Sequence, residues 1–386
     1  KIPTGIDRVV RVYVQHLLSG PRECLFLGRI GGGAMVLLDA KGISLFLSRL
    51  DGQQNWSGLD AKGRAQVHRD KSLRTLEAEL RRHALWHGPL SHLANTLKKL
   101  LNSGYCYLNT GHSNVERDVT TAVEKGGAGR IVFMLHDTIP LDHPQWQTPV
   151  SVERFTKAIA TISEVADTVI ANSHHTAKSA RHWLTKAGRC PQIVTAHLGI
   201  EPACDVPAHR QETPYFVQLG TIEPRKGHAL SVAIWEEMYR QDGAICPHLF
   251  VIGKRGWMNG QVFEKLDHSP LMNRQIFEIG ACSDSEKTAF LKGSTGLLFP
   301  SQAEGFGLPI LEAAQLNIPA IATDLPVYHE FTGLDILYMD NRDVHNWVDA
   351  IKTLLKRGTS TPVSAYSGSA EIPSWQGHFA TVEPFL

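Results

Sequence analysis

Two carboxylates frame a glycine turn in Glu304-Gly305-Phe306-Gly307-Leu308-Pro309-Ile310-Leu311-Glu312, with seven residues between them. The apolar run Leu297–Phe299 before it suits a buried parallel strand, and Pro300 and Ser301 end that run. Gly305 and Gly307 permit positive φ or close approach of a ligand. Pro309 suits the first turn of a helix, which places Glu304 in the loop and Glu312 in the first helical turn. The order is strand, glycine loop, helix. In open α/β sheets ligands lie beyond the carboxyl ends of strands, in loops of this kind. Taken singly, each carboxylate is as readily a solvated side chain or a complement to the helix dipole. Their joint placement points to ligand chemistry.

A second turn of the same order follows the strand-like Tyr215–Leu219: Gly220-Thr221-Ile222-Glu223-Pro224-Arg225-Lys226-Gly227-His228. A helix N-terminus there offers N–H groups and partial positive charge to an anion. Arg225 and Lys226 add two cations, and arginine can chelate a phosphate through two donors. This is a phosphate-type turn.

Together the two motifs resemble those of retaining glycosyltransferases of the GT-B fold, family four, in which a Glu, seven residues and a second Glu accompany an Arg/Lys pair. The resemblance implies an α/β fold of two Rossmann-like domains facing across a cleft. It implies a final helix at Ser374-Trp375 that crosses back to the first domain. It assigns Glu304 to the transferred sugar, Glu312 to the nucleotide ribose, and Arg225 and Lys226 to the donor diphosphate. Gly305, Phe306, Gly307 and Leu308 form the loop over the donor. Gly220 and Gly253 end strands beside it, and the turn at Ile279-Gly280 cradles the base through backbone groups, so guanine and uracil are equally compatible. Thr4-Gly5-Ile6 is similar to the end of the family's first glycine turn, with Gly5 near the donor phosphate. His136-Asp137-Thr138-Ile139-Pro140, after the apolar Arg130–Leu135, resembles the element that contacts the sugar. His136 is then a catalytic-site residue, and Asp137 faces the acceptor. Asn172-Ser173-His174-His175-Thr176 resembles a serine turn into a helix. Ser173 is an acceptor-side candidate and, on residue type alone, more simply an N-cap. The turn Asn109-Thr110-Gly111-His112 ends another strand.

The start Thr4-Gly5-Ile6-Asp7-Arg8 and the order His136–Pro140 resemble bacterial mannosyltransferases of surface polysaccharide synthesis, which makes GDP-mannose the first choice of donor. A mannosyl or other hexosyl unit would pass to a saccharide or lipid-linked saccharide, in polysaccharide or lipopolysaccharide synthesis. No cofactor and no metal are implied: the sequence contains no Asp-x-Asp pair, and two cations with a helix end can meet the charge of a leaving diphosphate. A phosphorylase or synthase on the same fold is the alternative. So is a silent nucleotide-sugar-binding subunit, although Glu304, Arg225 and Lys226 argue against silence.

At 386 residues the chain is long enough for two domains. The polar, proline-bearing stretch 201–214 breaks both periodicities and reads as the linker. Residues 1–205 are then an acceptor-binding domain that begins inside its first βα unit, 206–370 a nucleotide-sugar-binding domain, and 371–386 the crossover. Residues 1–210 carry 26 basic and 18 acidic side chains, a net +8, while 211–386 carry 13 and 20, a net −7. The basic half suits an anionic partner. The segment 71–101, with Lys71, Arg74, Arg81, Arg82, Lys98 and Lys99 against a row of leucines, reads as a basic amphipathic helix. Such a helix packs on the core with a solvated face or lies on anionic lipid. No nucleic-acid motif accompanies it. No apolar run reaches the length of a membrane span. The six cysteines are scattered, without a Cys-x-x-Cys pair, which suits reduced thiols. The expectation is a cytoplasmic protein with peripheral contact at the inner face of the membrane.

Overall fold

The structure is a computed structural model that describes residues 5–111, 114–280, 282–340, 343–358 and 371–386. Thr4 of the first glycine turn and His112 lie outside the described residues. The described residues form three sheets. β1 (Phe26–Ile30), β2 (Ala34–Leu38) and β3 (Trp86–Gly88) pair antiparallel in that order. β4 (Tyr105–Asn109), β5 (Ala128–Leu135), β6 (Thr168–Ala171) and β7 (Gln192–Thr195) make a four-stranded sheet in sequence order. β8 (Tyr215–Leu219), β9 (His248–Ile252), β10 (Ile276–Ile279), β11 (Gly296–Phe299), β12 (Ala320–Thr323) and β13 (Ile336–Met339) make a sheet that is parallel throughout, ordered β10-β9-β8-β11-β12-β13.

That last order positions the site. From β8 the chain builds outward through β9 and β10. It then returns to the other side of β8 with β11, pairing Leu297 with Val217. The direction of winding reverses between β8 and β11, so the loops leaving these two neighbouring strands diverge and open a crevice. The loop after β8 carries Arg225 and Lys226, and the loop after β11 carries Glu304. β8, β11 and β12 are buried along their whole length, as parallel strands covered on both faces must be. Alternate side chains face opposite layers. Phe216, Val251, Leu298 and Ile321 join Trp235, Trp347 and Ile351 on one side. Val217, Phe250, Leu297 and Phe299 join Ile310, Val327 and Tyr328 on the other.

The chain divides into two compact units. Of the described residues, one unit holds Gly5, 135–159 and 169–385, and the other holds 6–134, 160–168 and Leu386. The polar stretch 201–214 lies inside the first unit. In this unit Ser374 caps the helix Trp375–Val382. The helix rests on the segment after β7: Ile200 N donates to Pro373 O at 3.1 Å, and His378 Nδ1 lies 3.0 Å from His197 O.

In the second unit the basic segment departs from expectation. It is not one helix over 71–101 but two, Lys71–His83 and Leu93–Leu100, parted by β3. Trp86 and His87 pair with Leu37 and Val36 of β2, and Gly88-Pro89 ends the pairing. Edge pairing to a sheet has overridden the leucine periodicity. Much of the positive charge is neutralised within the unit. Arg81 pairs with Asp60 at 2.6 Å, Arg82 with Glu79 at 2.8 Å and Arg69 with Glu77 at 2.7 Å.

Candidate active site

The turn after β8 is shaped by close backbone packing. Gly220 has φ 135°, and the aliphatic stem of Lys226 lies beside it. Gly253, at the end of β9, abuts Gly220 so tightly that a Cβ would stand 1.9 Å from Gly220 O, so only glycine is accommodated there. Gly253 N in turn donates to Ile279 O at the end of β10, at 3.0 Å. Pro224–Lys226 then form a single 3₁₀ turn, and Gln218 Nε2 holds its end through Lys226 O at 3.0 Å. The helix His228–Asp242 starts at Gly227, in the left-handed region, without a side-chain cap. The helix Leu308–Gln315 starts in the same way at Gly307. Uncapped N-termini leave their first amides for another acceptor and favour negative charge.

Glu304 is the point where the two loops meet. Its Oε1 lies 2.5 Å from Lys226 Nζ and its Oε2 lies 3.1 Å from Arg225. Arg225 also reaches Ala303 O at 2.8 Å and Glu223 Oε1 at 2.8 Å. The Glu304 side chain is only 8% exposed. Burial on its own would raise its carboxyl, but Lys226 and then Arg225 outweigh burial and bring it down to about 2. Burial pulls Lys226 below its ordinary value against the opposing field of Glu304. Burial pushes Glu223 and Asp137 up, with Arg225 opposing in both cases. Three carboxylates thus lie in the field of two little-exposed cations. The one held most firmly as an anion is Glu304, in contact with both cations. Such a cluster can place a fixed negative charge beside a forming cation while two positive groups stand ready for an anionic leaving group.

Gly305 sets the neighbouring loop against this cluster. A Cβ on it would meet His136 O at 2.1 Å and Asp137 Cβ at 2.8 Å, so the His136–Asp137 turn lies directly on the glycine loop. His136 is buried, and Asp137 Oδ1 accepts from Ile139 N at 3.1 Å. Ser173 is fully buried. Its hydroxyl caps the helix His174–Ala187 through Thr176 N and also donates to Gly305 O at 2.8 Å. Phe306 is buried against His197 and Phe331. Leu308 Cδ1 lies 3.6 Å from where a Gly5 Cβ would stand. Glu312 is bound to Lys287 at 3.1 Å. The helix begins at Leu308, so Glu312 falls just past its first turn and not within it as expected. Glu223 was not singled out in the sequence. Its only local sign is its place just before Pro224-Arg225-Lys226.

Residues 203–365 match the family model described as glycosyl transferases group 1. This part of the chain resembles a glycosyltransferase domain. Among curated proteins, the serotype-specific mannosyltransferase WbdA of Escherichia coli is 34% identical over 216 residues, which cover 51% of this chain and 26% of that protein. The chain therefore spans about a quarter of the length of this relative. The O-antigen chain mannosyltransferase RfbU of Salmonella typhimurium is 23% identical over 244 residues, covering 60% of this chain and 66% of that one. Among solved structures, Anabaena Alr3699/HepE in complex with UDP and glucose aligns with a TM-score of 0.55 at 14% identity, covering 77% of each chain. A TarM mutant of S. aureus, in complex with fondaparinux, alpha-GlcNAc-glycerol and UDP, aligns with a TM-score of 0.55 at 16% identity, covering 77% of this chain and 56% of the other. The fold is GT-B, and the match to the group 1 glycosyltransferase model spans both motifs. No helix among the described residues is long and apolar enough to cross a membrane.

Proposed function

We propose that the protein is a retaining glycosyltransferase that moves a mannosyl unit from GDP-mannose to a saccharide or lipid-linked saccharide, in polysaccharide or lipopolysaccharide synthesis. The observation that carries this reading is the meeting of Arg225, Lys226 and Glu304 at the reversal point of a parallel sheet. The mannosyltransferase relatives support the choice of sugar. The donor diphosphate would take the place now held by Glu304 on Arg225 and Lys226, with the uncapped helix start at Gly227 behind it. Charge then builds on the diphosphate as the sugar leaves, where two fixed cations stabilise it. Glu304 faces the anomeric carbon and stabilises positive charge there, or bonds to it as a nucleophile. His136 serves a sugar hydroxyl or the β-phosphate, and Asp137 the acceptor. Gly220, Gly253 and Ile279 lie along the nucleotide side.

The test is a transfer assay with GDP-mannose and a mannoside acceptor, reading GDP release and the anomeric proton of the product. Release of GDP with an α-linked product, unchanged by EDTA, is expected. A β-linked product would end the retaining assignment, and activity lost to EDTA and restored by magnesium or manganese would end the metal-free one.

Glu312 is assigned to the ribose diol. Glu312→Ala should weaken GDP binding by about 1.5–3 kcal/mol, the usual value of a charged hydrogen bond. Calorimetry showing unchanged affinity would remove that role.

Peripheral contact with anionic lipid is proposed through the exposed Lys71, Lys98 and Lys99. The protein should sediment with anionic vesicles and be released by salt. Equal sedimentation with neutral vesicles would leave these lysines as a solvated face.

A further inference from the structure

We propose that the first turn of the helix His174–Ala187 fixes the catalytic loop, with Thr176 and Ser173 as positioning residues for Glu304. The proposal rests on the reading of Glu304 as the catalytic carboxylate.

Two hydroxyls converge on one carbonyl. Ser173 Oγ donates to Gly305 O at 2.8 Å, and Thr176 Oγ1 donates to the same oxygen at 3.1 Å. Both residues are almost wholly buried, at 0% and 2% exposure. The acceptor is the carbonyl of the peptide that links Gly305 to Phe306, one residue beyond Glu304, so its orientation fixes the loop that carries Glu304. Local needs do not explain this arrangement. Capping requires only the Ser173 hydroxyl on Thr176 N, at 2.9 Å. In a helix interior a threonine hydroxyl can turn back to the carbonyl four residues earlier, but Thr176 lies in the first turn, where that carbonyl falls outside the helix. Thr176 instead reaches a residue 129 positions away.

The same turn holds the opposite wall. Asn172 Nδ2 donates to His136 O at 2.8 Å. This is the carbonyl against which Gly305 is packed. Asn172, Ser173 and Thr176 therefore set the His136 and Gly305 backbones relative to each other. The turn is itself braced. Glu330 accepts His174 N and His175 N, one on each carboxylate oxygen, at 2.7 Å, and lies 2.8 Å from His197 Nε2. These bonds account for the clustering of His174, His197 and Glu330, whose ligand-type atoms lie within 4.8 Å of one another. Two residues before Glu330, the Tyr328 ring closes on Gly307, the far end of the same loop. A carboxylate that must face a reacting carbon gains its effect from accurate placement, and small displacements are costly in rate.

The experiment compares Thr176→Val, which keeps the branched shape and removes the hydroxyl, with Thr176→Ser, which keeps the hydroxyl. Turnover, donor KM and melting temperature are measured for both, beside Glu304→Gln. Thr176→Val should lower kcat about ten-fold with donor KM within about two-fold, and Thr176→Ser should restore kcat to within about two-fold. The proposal is overturned if Thr176→Val turns over like wild type, if Thr176→Ser is as slow as the valine variant, or if donor affinity falls in step with rate. Should Thr176→Val not fold, Thr176→Ala is judged by the same criteria. If Glu304→Gln is slow while Thr176→Val is not, the positioning role alone fails. If Glu304→Gln itself keeps its rate, the catalytic reading fails and takes this one with it.

Discussion

Glu304→Gln is expected to bind the nucleotide sugar at least as well as wild type and to transfer it at least ~100-fold more slowly. The carboxylate is held at a pKa of about 2 by Lys226 and Arg225 despite its burial, so at neutral pH its charge is fixed before the sugar arrives. The amide keeps the shape and most of the hydrogen bonding but removes the charge. In the ground state this should not harm donor binding. It releases Lys226 and Arg225 from a competing anion and leaves them to the diphosphate. In the transition state the sugar carries positive charge, and a preorganised contact with it disappears. An interaction stronger in the transition state than in the ground state shows in kcat and not in affinity. Initial rates and calorimetry on the same preparation separate the two. Wild-type turnover would mean that Glu304 is a structural partner of the cationic turn and nothing more.

Arg225→Ala should act on both stability and binding. Arg225 lies between Glu304 and Glu223, at 3.1 and 2.8 Å, and also holds Ala303 O. Removing it leaves two buried carboxylates to share Lys226. Breaking a buried ion pair from one side typically costs about 3–5 kcal/mol. The melting temperature should fall, and donor affinity should fall with it, because the diphosphate is charged in both ground and transition states. The two effects can be parted. In a Glu223→Gln background one stranded carboxylate is gone, so Arg225→Ala should lose less stability there yet lose donor affinity to the same degree. Full recovery of donor affinity in the double variant would place Arg225 in the scaffold and not on the phosphate.

The sequence makes the parallel sheet legible because β8, β9, β11 and β12 are short apolar runs closed by glycine, proline or a polar cluster. β3 was not legible. Its three residues sit inside a leucine-rich basic segment, and what makes them a strand is the edge of β2, about 50 residues earlier in the chain. β13 is not legible for a similar reason: it is a half-buried edge strand that pairs with β12. In the site, Arg225, Lys226 and Glu304 could be read because each stands beside a glycine turn at a strand end. Their contact with one another could not, since it depends on the winding reversal that sets β11 beside β8. Glu223 reads as a solvated residue before a proline until its 2.8 Å contact with Arg225 is seen. Ser173 reads correctly as a helix cap, but its bond to Gly305, 132 residues away, has no local signal.

The turn at Arg225 and Lys226 should hold a nucleoside diphosphate. The most direct measurement is calorimetry of the wild-type protein with GDP-mannose, GDP and guanosine. Two cations and a helix start acting on the diphosphate should make guanosine at least ~100-fold weaker than GDP, since each charge-assisted bond contributes about 1.5–3 kcal/mol. GDP-mannose should bind comparably to GDP. Guanosine binding as tightly as GDP would contradict a diphosphate site at this turn, because the affinity would then come from the base and ribose alone.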